Sequence, residues 1–529
     1  GLSMLAWAFA SLGLAQPRLL RAAAAQAEAK ARDFRPQELA NFAWALATLG
    51  LDEPAALRAV ATEAVQKVGD FNPQDVSNLA WAFATAVAVD LRLLRELARR
   101  ARRRLDDFTP QHLANTAWAF ASLIVEDRAL FRAIARAAMG RLGSFAPRGL
   151  SGLAWAFAAV GDGGGTELLL VELLHGIEGE LAALLSREGH TAAHSDASLA
   201  GLARDATGAI WALDYSGLPF DALKRSTSEL LPRTAGSARA PQIAALGSSC
   251  GPGGRNRDTE PCTVMDLPGM MVVHKTSGWE VDTDASSRSQ FGRGLPLSSY
   301  VQARLPRRLW PLVHDPQRGF GFLHRLDVPG SGLILVATTH EAYGGLSLEL
   351  NSGGLARDYA VLVHGWWPGP RREVQRRVAW SEATCLPSKV ERQGRPSRTR
   401  VRASAHASRV GGEALSLLDV RILTGRRHQI RVHAAHVGHP TACDGRYTSA
   451  TAFAADRAWC PWNCIHRYHL RFPDRKGALR DAYAALPPTY AAAVGSLAPR
   501  PARGPSGEGR RADGRLEELV GRFAARAKK

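Results

Sequence analysis

Apolar and polar positions follow three successive textures along the chain. Up to about residue 220, apolar residues recur at helical spacing and the whole pattern repeats. Trp7, Trp44, Trp81, Trp118 and Trp155 stand 37 residues apart. Around them recurs Phe-x-Pro-Gln/Arg-x-Leu-(Ala/Ser)-Asn-x-Ala-Trp-Ala-Phe/Leu-Ala, as in the stretch from Phe71 to Trp81. Pro36, Pro73, Pro110 and Pro147 suit the first turn of a helix, where a missing N–H costs nothing. The Ala/Trp/Phe-rich segment that follows is apolar nearly all round, which predicts a helix sandwiched between neighbours with its tryptophans in the core. An amphipathic segment comes next, such as Ala56 to Val68. Two helices per unit, stacked in series, predict an α-solenoid. After Trp155 the period decays. Gly161 to Gly165 interrupts it, and Trp211 within Ala209–Leu213 reads as a degenerate last copy, as terminal repeats often are.

The second texture, Thr234 to Thr263, is rich in Gly, Ser, Ala, Pro and Arg without periodicity, and predicts a flexible connector. The third is strand-like. Met270–Lys275, Leu333–Ala337 and Arg357–Gly365 are short apolar runs bounded by turn residues. Between them, Gly321-Phe322-Leu323-His324-Arg325-Leu326-Asp327 leads into Val328-Pro329-Gly330-Ser331-Gly332. That order places Asp327 at the mouth of a loop feeding a buried strand. A lone acid on a turn is ordinarily a turn former or helix cap. The expected division is 1–220 repeat array, 221–263 linker, 264–495 second domain and 496–529 basic tail.

Charge narrows the choice of partner. The 529 residues carry 67 Lys+Arg against 49 Asp+Glu, a formal net charge of +18. Such a surface attracts polyanions, most often nucleic acid, although an acidic membrane surface or organellar targeting would use the same balance. No apolar run reaches the ~18 residues of a membrane-spanning helix. Arg99, Arg100, Arg102, Arg103 and Arg104 form a dense cation run, either a solvated face or a phosphate contact. Asn41, Asn78 and Asn115 recur in register, with Met4 and Gly152 in the outer units. An Asn there could read a base edge, but a bond to a neighbouring helix's backbone is favoured. The six cysteines are too few for a disulfide scaffold. Cys460, Cys464, Cys443 and His466 lie near one another in sequence, but thiols in a reducing compartment are favoured over zinc.

The 37-residue unit resembles the heptatricopeptide and octotricopeptide repeats of organellar RNA-binding proteins. That resemblance implies contact with single-stranded RNA along a concave basic face, and a mitochondrial or chloroplast location. Gly1 begins inside a repeat with no initiator Met, so a preceding stretch with any targeting peptide is expected.

Residues 264–495 resemble the RluA-type pseudouridine synthases. His324-Arg325-Leu326-Asp327 with Ser331-Gly332-Leu333 is similar to their catalytic motif. Met270–Gly278 is similar to the opening strand and Lys-Pro-x-Gly element, with Thr276 for Pro. Arg357-Asp358-Tyr359-Ala360-Val361-Leu362-Val363-His364-Gly365 matches the element that carries the active-site tyrosine. Arg395–Arg400 resembles the segment bracing the sheet. Leu423-Thr424-Gly425-Arg426-Arg427-His428-Gln429-Ile430-Arg431-Val432-His433 is almost the family consensus. It is followed by Gly438-His439-Pro440 and Asp444-Gly445-Arg446-Tyr447, with Cys443 where Gly is usual. Cys464–Phe472 and Ala485–Pro487 look like the closing strand and end.

The resemblance implies an α+β domain with a mixed, largely antiparallel sheet behind the all-α solenoid. It implies isomerisation of uridine in rRNA, tRNA or organellar RNA, with structured or single-stranded RNA as partner and no metal or other cofactor. Asp327 would be nucleophile or general base, Arg431 its ionic partner, and Tyr359 the group on the base face. Arg325 would fill the gap left by an extruded uridine. His324, Arg357, Arg426, Arg427, His428 and Gln429 would contact RNA. If Thr424–His433 is a turn followed by a strand, Gln429, Arg431 and His433 share one face, and Ile430 and Val432 the other. A monomer is expected. The alternative is a non-catalytic RNA-binding or RNA-stabilising protein that uses the synthase domain for docking.

Overall fold

The computed structural model describes the chain except residues 15, 126, 162–165, 187–195, 232–259, 283–294, 370, 381–386, 392–393, 410, 501–514 and 526–529. Two compact units divide it, Gly1–Thr234 and Ala235–Lys529.

The first unit is all helix: α1 (Leu2–Ser11), α2 (Pro17–Lys30), α3 (Pro36–Thr48), α4 (Pro54–Lys67), α5 (Pro73–Thr85), α6 (Leu91–Arg103), α7 (Pro110–Leu123), α8 (Arg128–Met139) and α9 (Pro147–Val160). Three longer or later helices complete it: α10 (Thr166–Ser186), α11 (Asp196–Ser216) and α12 (Asp221–Leu230). The prolines stand at the first helical turn, and Asn72 and Thr109 cap α5 and α7 through their side chains. Odd-numbered helices α1 to α9 lie side by side in one layer. Ala40, Ala43 and Ala47 on α3, like Ala80 and Ala84 on α5, are buried there. Small residues let helix backbones approach closely, and Phe42, Phe83, Phe120 and Phe157 fill the space behind. Between units, Phe34, Phe71 and Phe108 are buried at a short turn. A cation from the next hairpin holds each turn: Lys67 donates to the Phe34 carbonyl (2.8 Å), Arg100 to Phe71 (2.9 Å) and Arg141 to Phe108 (2.8 Å).

Three expectations change. The tryptophans are not core: Trp7 is 41% exposed, and Trp44, Trp81, Trp118 and Trp155 are half-buried along one face. The reason is geometric: alanines and phenylalanines satisfy the packing on the other faces. Asn41, Asn78 and Asn115 share that open face, and their side chains make no hydrogen bond among the described residues. The arginine run is partly spent internally, Arg99 on Glu96, Arg104 on Asp107 and Arg100 on the Phe71 carbonyl, while Arg102 and Arg103 stay exposed. Gly161 ends α9 in a left-handed conformation, and the rest of the Gly161–Gly165 break lies outside the described residues. Trp211 on α11 lies 6.4 Å from Trp155, ring centre to ring centre. The helical unit runs past residue 220, because Leu223 and Leu230 of α12 are buried. Most of the expected linker lies outside the described residues.

The second unit is α+β. Its sheet strands are β1 (Cys262–Leu267), β2 (Met270–Lys275), β3 (Ser331–Ala337), β4 (Ala356–His364) and β5 (Glu373–Gln375). They continue with β6 (Arg398–Ser408), β7 (Ala414–Ile422), β8 (Ile465–Pro473), β9 (Leu479–Tyr483) and β10 (Ala498–Pro499). The order is β1-β2-β3-β8-β4-β7-β6-β10, with β9 on β8 and β5 on β6. Among the described residues, only the β3–β8 pair in this sheet is parallel. β8, expected to close the domain, lies in the middle, with Arg467 opposite Tyr359 of β4 and opposite Gly332 of β3. Gly332 (φ +123°) is obligatory there, because a Cβ would come within 2.4–2.8 Å of the Arg467 backbone. The basic tail is partly folded: β10 pairs with β6, and Leu516, Leu519 and Phe523 of the helix Arg515–Ala525 join a hydrophobic cluster with Tyr468. Their spacing gives that helix one apolar face.

Candidate active site

Asp327 lies on the loop before β3. Lys275, fully buried at the end of β2, donates to the carbonyls of Val328 (3.3 Å) and Gly330 (2.6 Å), and to those of Thr276 and Trp279. Those bonds hold the loop after Asp327 against the sheet. Burial pushes the Lys275 ammonium down to about 7, with Asp327 opposing and Arg467 reinforcing the shift.

Across the loop stands Arg431. Its Nη1 donates to Asp327 Oδ2 at 3.0 Å. Its Nε and Nη2 clamp Asp444 at 2.8 and 2.7 Å. Asp444 is itself fully buried and accepts from Thr441 Oγ1 (2.9 Å) and the Arg446 N–H (3.0 Å). Arg431 is therefore oriented from behind by a bidentate pair and presents one edge to Asp327. Burial alone would raise the Asp327 carboxyl, but His428, Arg431, Arg325 and the Arg431 hydrogen bond outweigh it and hold it at about 2. Burial drives His428 down to about 4, so near neutral pH it is uncharged and the two arginines do the holding. Arg431 is pushed up, its bonds to Asp444 and Asp327 overcoming its burial.

The segment carrying Arg431 is not a strand. Gln429–His436 is a helix, entered through His428 in a left-handed conformation (φ 55°). Helical geometry places Gln429 and His433 together against β6 and turns Arg431 away from them. Gln429 is buried and saturated: its Oε1 accepts from Thr424 Oγ1 and the Arg426 N–H, and its Nε2 donates to Arg398 O and Thr399 Oγ1. No donor or acceptor is left for RNA. Thr399 also bonds His433, so the Arg395–Arg400 segment braces this helix.

Tyr359 is buried on β4. Its hydroxyl accepts from Arg467 Nε (2.9 Å) and Nη2, and the guanidinium carbon lies 4.9 Å from the ring centre. Arg467 also bonds His324 Nδ1 (2.7 Å) and the carbonyls of Leu333 (2.8 Å) and Arg325 (3.1 Å). One buried guanidinium thus ties the tyrosine to the Asp327 loop. Arg325 is exposed beside it. His324 is turned inward to Arg467, and Arg357 is 4% exposed under the Gly425 turn, where burial lowers it to about 10. Arg357 thus presents no RNA-facing surface, whereas His324 is half-buried. His428 bonds Tyr447 (3.0 Å) and lies 3.9 Å from Asp327. Arg426 donates to Pro396 O, and Arg427 stacks over Trp380 at 4.4 Å.

The structure pairs Asp327 with Arg431, ties Tyr359 to the same loop through Arg467, and adds Lys275 and Asp444 as supports. The Lys-x-x-Gly turn and the Asp-Gly-Arg-Tyr block signalled these two supports. Arg467 had no signal beyond a cation inside an apolar strand. Cys443, Cys460 and Cys464 are buried free thiols, and His466 bonds Ser331 Oγ (2.9 Å).

A sheet of this order, with a carboxylate loop locked to an arginine on a neighbouring helix, frames the site of the C-terminal unit. A family model described as RNA pseudouridylate synthase matches residues 269–436, an RluA-type domain within the C-terminal unit. The chain is 33% identical over 214 residues to Ribosomal large subunit pseudouridine synthase C of Haemophilus ducreyi, covering 40% of this chain and 60% of that protein. It is 36% identical over 190 residues to the same-named protein of Yersinia pestis, covering 35% and 52%. The chain thus spans between about half and 60% of the length of these relatives. The structure of Human RNA Pseudouridylate Synthase Domain Containing 1 is 22% identical, with a TM-score of 0.37, over 51% of this chain and 98% of that one. Residues 1–159 match a second model, described as RNA-editing substrate-binding complex 6 protein.

Proposed function

We propose that this protein is an RNA pseudouridine synthase that isomerises particular uridines, with the helical repeats as its RNA-targeting arm. The observation that carries the reading is the Asp327–Arg431 pair, 3.0 Å apart and fixed from behind by Asp444. Pseudouridine formation breaks the C1′–N1 bond, turns the base and joins C5 to C1′. The C5 proton leaves and N1 ends protonated, so the product has the same atoms and oxidation state as the substrate. Such a sequence calls for a permanently ionised carboxylate beside the sugar, and a carboxyl held at about 2 supplies it as nucleophile or general base. Tyr359, its hydroxyl already held by Arg467, would lie on the face of the base. Exposed Arg325 would take the place of the flipped nucleotide.

The match of residues 1–159 to a substrate-binding protein of RNA editing supports the arm. The resemblance to organellar repeats points to rRNA, tRNA or other RNA of a mitochondrion or chloroplast as the target. Mapping pseudouridine across total RNA with and without this protein tests the reading. Sites that vanish with the protein and return with the intact gene support it. Maps that are identical in both cases would leave only a docking role.

A further inference from the structure

Three thiols gather behind the active site, where the proposed chemistry makes no use of them. Cys443 directly precedes Asp444, and Cys460 and Cys464 bracket the loop Pro461-Trp462-Asn463 that leads into β8. All three are buried and free. Cys460 Sγ lies 2.8 Å from Cys464 Sγ and also hydrogen-bonds Cys443, so it has a thiol on either side.

A metal ion and a sulfur–sulfur bond would each use such a cluster, and the geometry favours the bond. Structural zinc takes four ligands around one point. Among the described residues, these sulfurs form no group compact enough to share one ion. His466 is spent on Ser331 Oγ (2.9 Å) and the Ala484 carbonyl (3.3 Å). Cys460 and Cys464, by contrast, need only a small side-chain rotation to reach bonding distance. Cys443 is held more firmly: its N–H donates to Asp456 Oδ2 (2.6 Å) and its backbone is left-handed (φ 56°). The loop between the other two carries Trp462, 43% exposed, and so reaches solvent.

That loop is also wired to the catalytic pair. Asn463 Nδ2 donates to Thr441 Oγ1 (3.1 Å), and Thr441 Oγ1 donates to Asp444 Oδ2 (2.9 Å). Asp444 in turn clamps the Arg431 that holds Asp327.

We propose that Cys460 and Cys464 are an oxidation site, forming a reversible disulfide that loosens the Asp444–Arg431 clamp and slows pseudouridine formation. Closing the sulfur pair tightens the loop around Asn463 and draws its amide off Thr441. The disulfide stands on the thiol geometry alone, and its effect on turnover rests on the function proposed above. With hydrogen peroxide as oxidant, the Cys460 thiolate attacks one peroxide oxygen, giving a sulfenic acid and, after proton uptake, water. The Cys464 thiol then displaces the sulfenic hydroxyl as a second water, and the S–S bond forms. The two thiols lose two electrons and two protons, and the peroxide gains both. Against the lowering effect of the Cys443 hydrogen bond, the Cys464 bond and burial push the Cys460 thiol up. Little thiolate is therefore present near neutral pH, and the response is slow.

For the test, the full chain, reduced or treated with hydrogen peroxide, is denatured, alkylated and cleaved after arginine. Cys460 and Cys464 then fall in one peptide, Ala458–Arg467, and Cys443 in another, Val432–Arg446. After peroxide the first peptide should lack two hydrogens and take no alkyl group, while Cys443 is still alkylated. Tritium release from C5-labelled uridine in RNA should fall several-fold with RNA affinity unchanged, and return on treatment with dithiothreitol. Cys460→Ser, whose hydroxyl can replace the thiol's bond to the Trp462 carbonyl (2.9 Å), should keep the reduced-state rate and lose the response. Cys464→Ala should do the same. Alkylation of both thiols after peroxide, a bond that involves Cys443, or stoichiometric zinc on the reduced protein would each overturn the site. A disulfide that leaves turnover unchanged would overturn the switch, as would an equal loss of turnover in both variants. Reduced protein without turnover on any RNA would contradict the proposed activity instead, and the peptide map would still decide the disulfide.

Discussion

In the helical unit, the contacts that set the architecture recur at a near-constant reach along the chain. Lys67 and Arg141 each donate to a phenylalanine carbonyl 33 residues back. In the sheet unit, Arg431 reaches Asp327 across 104 residues, and Arg467 reaches Tyr359 across 108 and His324 across 143. The first arrangement is redundant and presents a neutral surface in multiple copies. The second occurs once and buries charges that hold only while all partners are present. Loss of a strut in the array should therefore be absorbed by its neighbours, whereas loss of one charge at the site should not.

The sharpest way to break that contrast is Arg431→Met. It keeps much of the volume but leaves both Asp327 and Asp444 without their cation. A buried charge stripped of its partner costs roughly 3–5 kcal/mol. Turnover should nearly vanish and the sheet unit should unfold at distinctly lower denaturant, read by urea titration with separate probes for the two units.

Acid comes next. Burial holds His428 and His433 at about 4 and His466 at about 3, all below their ordinary 6.5. As pH falls below 6.5 the unfolded chain takes up these protons first. The stability contribution is thus complete above about pH 6.5 and is lost toward pH 3–4, at about 1.4 kcal/mol per histidine per pH unit. Asp327 follows later, its lowered carboxyl contributing above about pH 4 and losing that contribution as pH falls to about 2. The sheet unit should show a steep loss of stability between pH 6.5 and 4, measured by denaturant midpoints at stepped pH.

A smaller effect is expected of Arg427→Met, because half-buried Arg427 stacks on Trp380 and does not touch Asp327. RNA affinity should fall several-fold, more at low salt, with the rate for bound RNA little changed. The smallest belongs to the array. Lys67→Met removes one of the recurring carbonyl struts and should cost about 1–2 kcal/mol by thermal unfolding, without altering pseudouridine formation.

The same contrast explains how far sequence reading carried. A 37-residue period is visible because each hairpin touches its neighbours, so the constraint repeats within the sequence. The tryptophans misled because a helix rich in Ala, Phe and Trp reads as apolar all round; three polar positions in line with Trp44, Trp81 and Trp118 marked the open face. Thr424–His433 read as a strand because Ile430 and Val432 alternate with polar residues. Tertiary bonds overrode that local preference: Gln429 links Thr424, Arg426, Arg398 and Thr399 and closes the helix entrance. The Asp327–Arg431 pair followed from family motifs and not from that strand geometry. Arg467 was hidden, since its role exists only once β8 is inserted between β3 and β4.

The central claim is that Asp327, held ionised by Arg431, carries the chemistry. The most direct measurement is pseudouridine formation by Asp327→Asn, followed as release of tritium from C5-labelled uridine in RNA that the wild-type protein modifies. The amide keeps the shape and can still accept a bond from Arg431, so RNA binding and the melting profile should stay close to wild type. Tritium release should fall to background. Substantial release by the folded, RNA-binding variant would contradict the account.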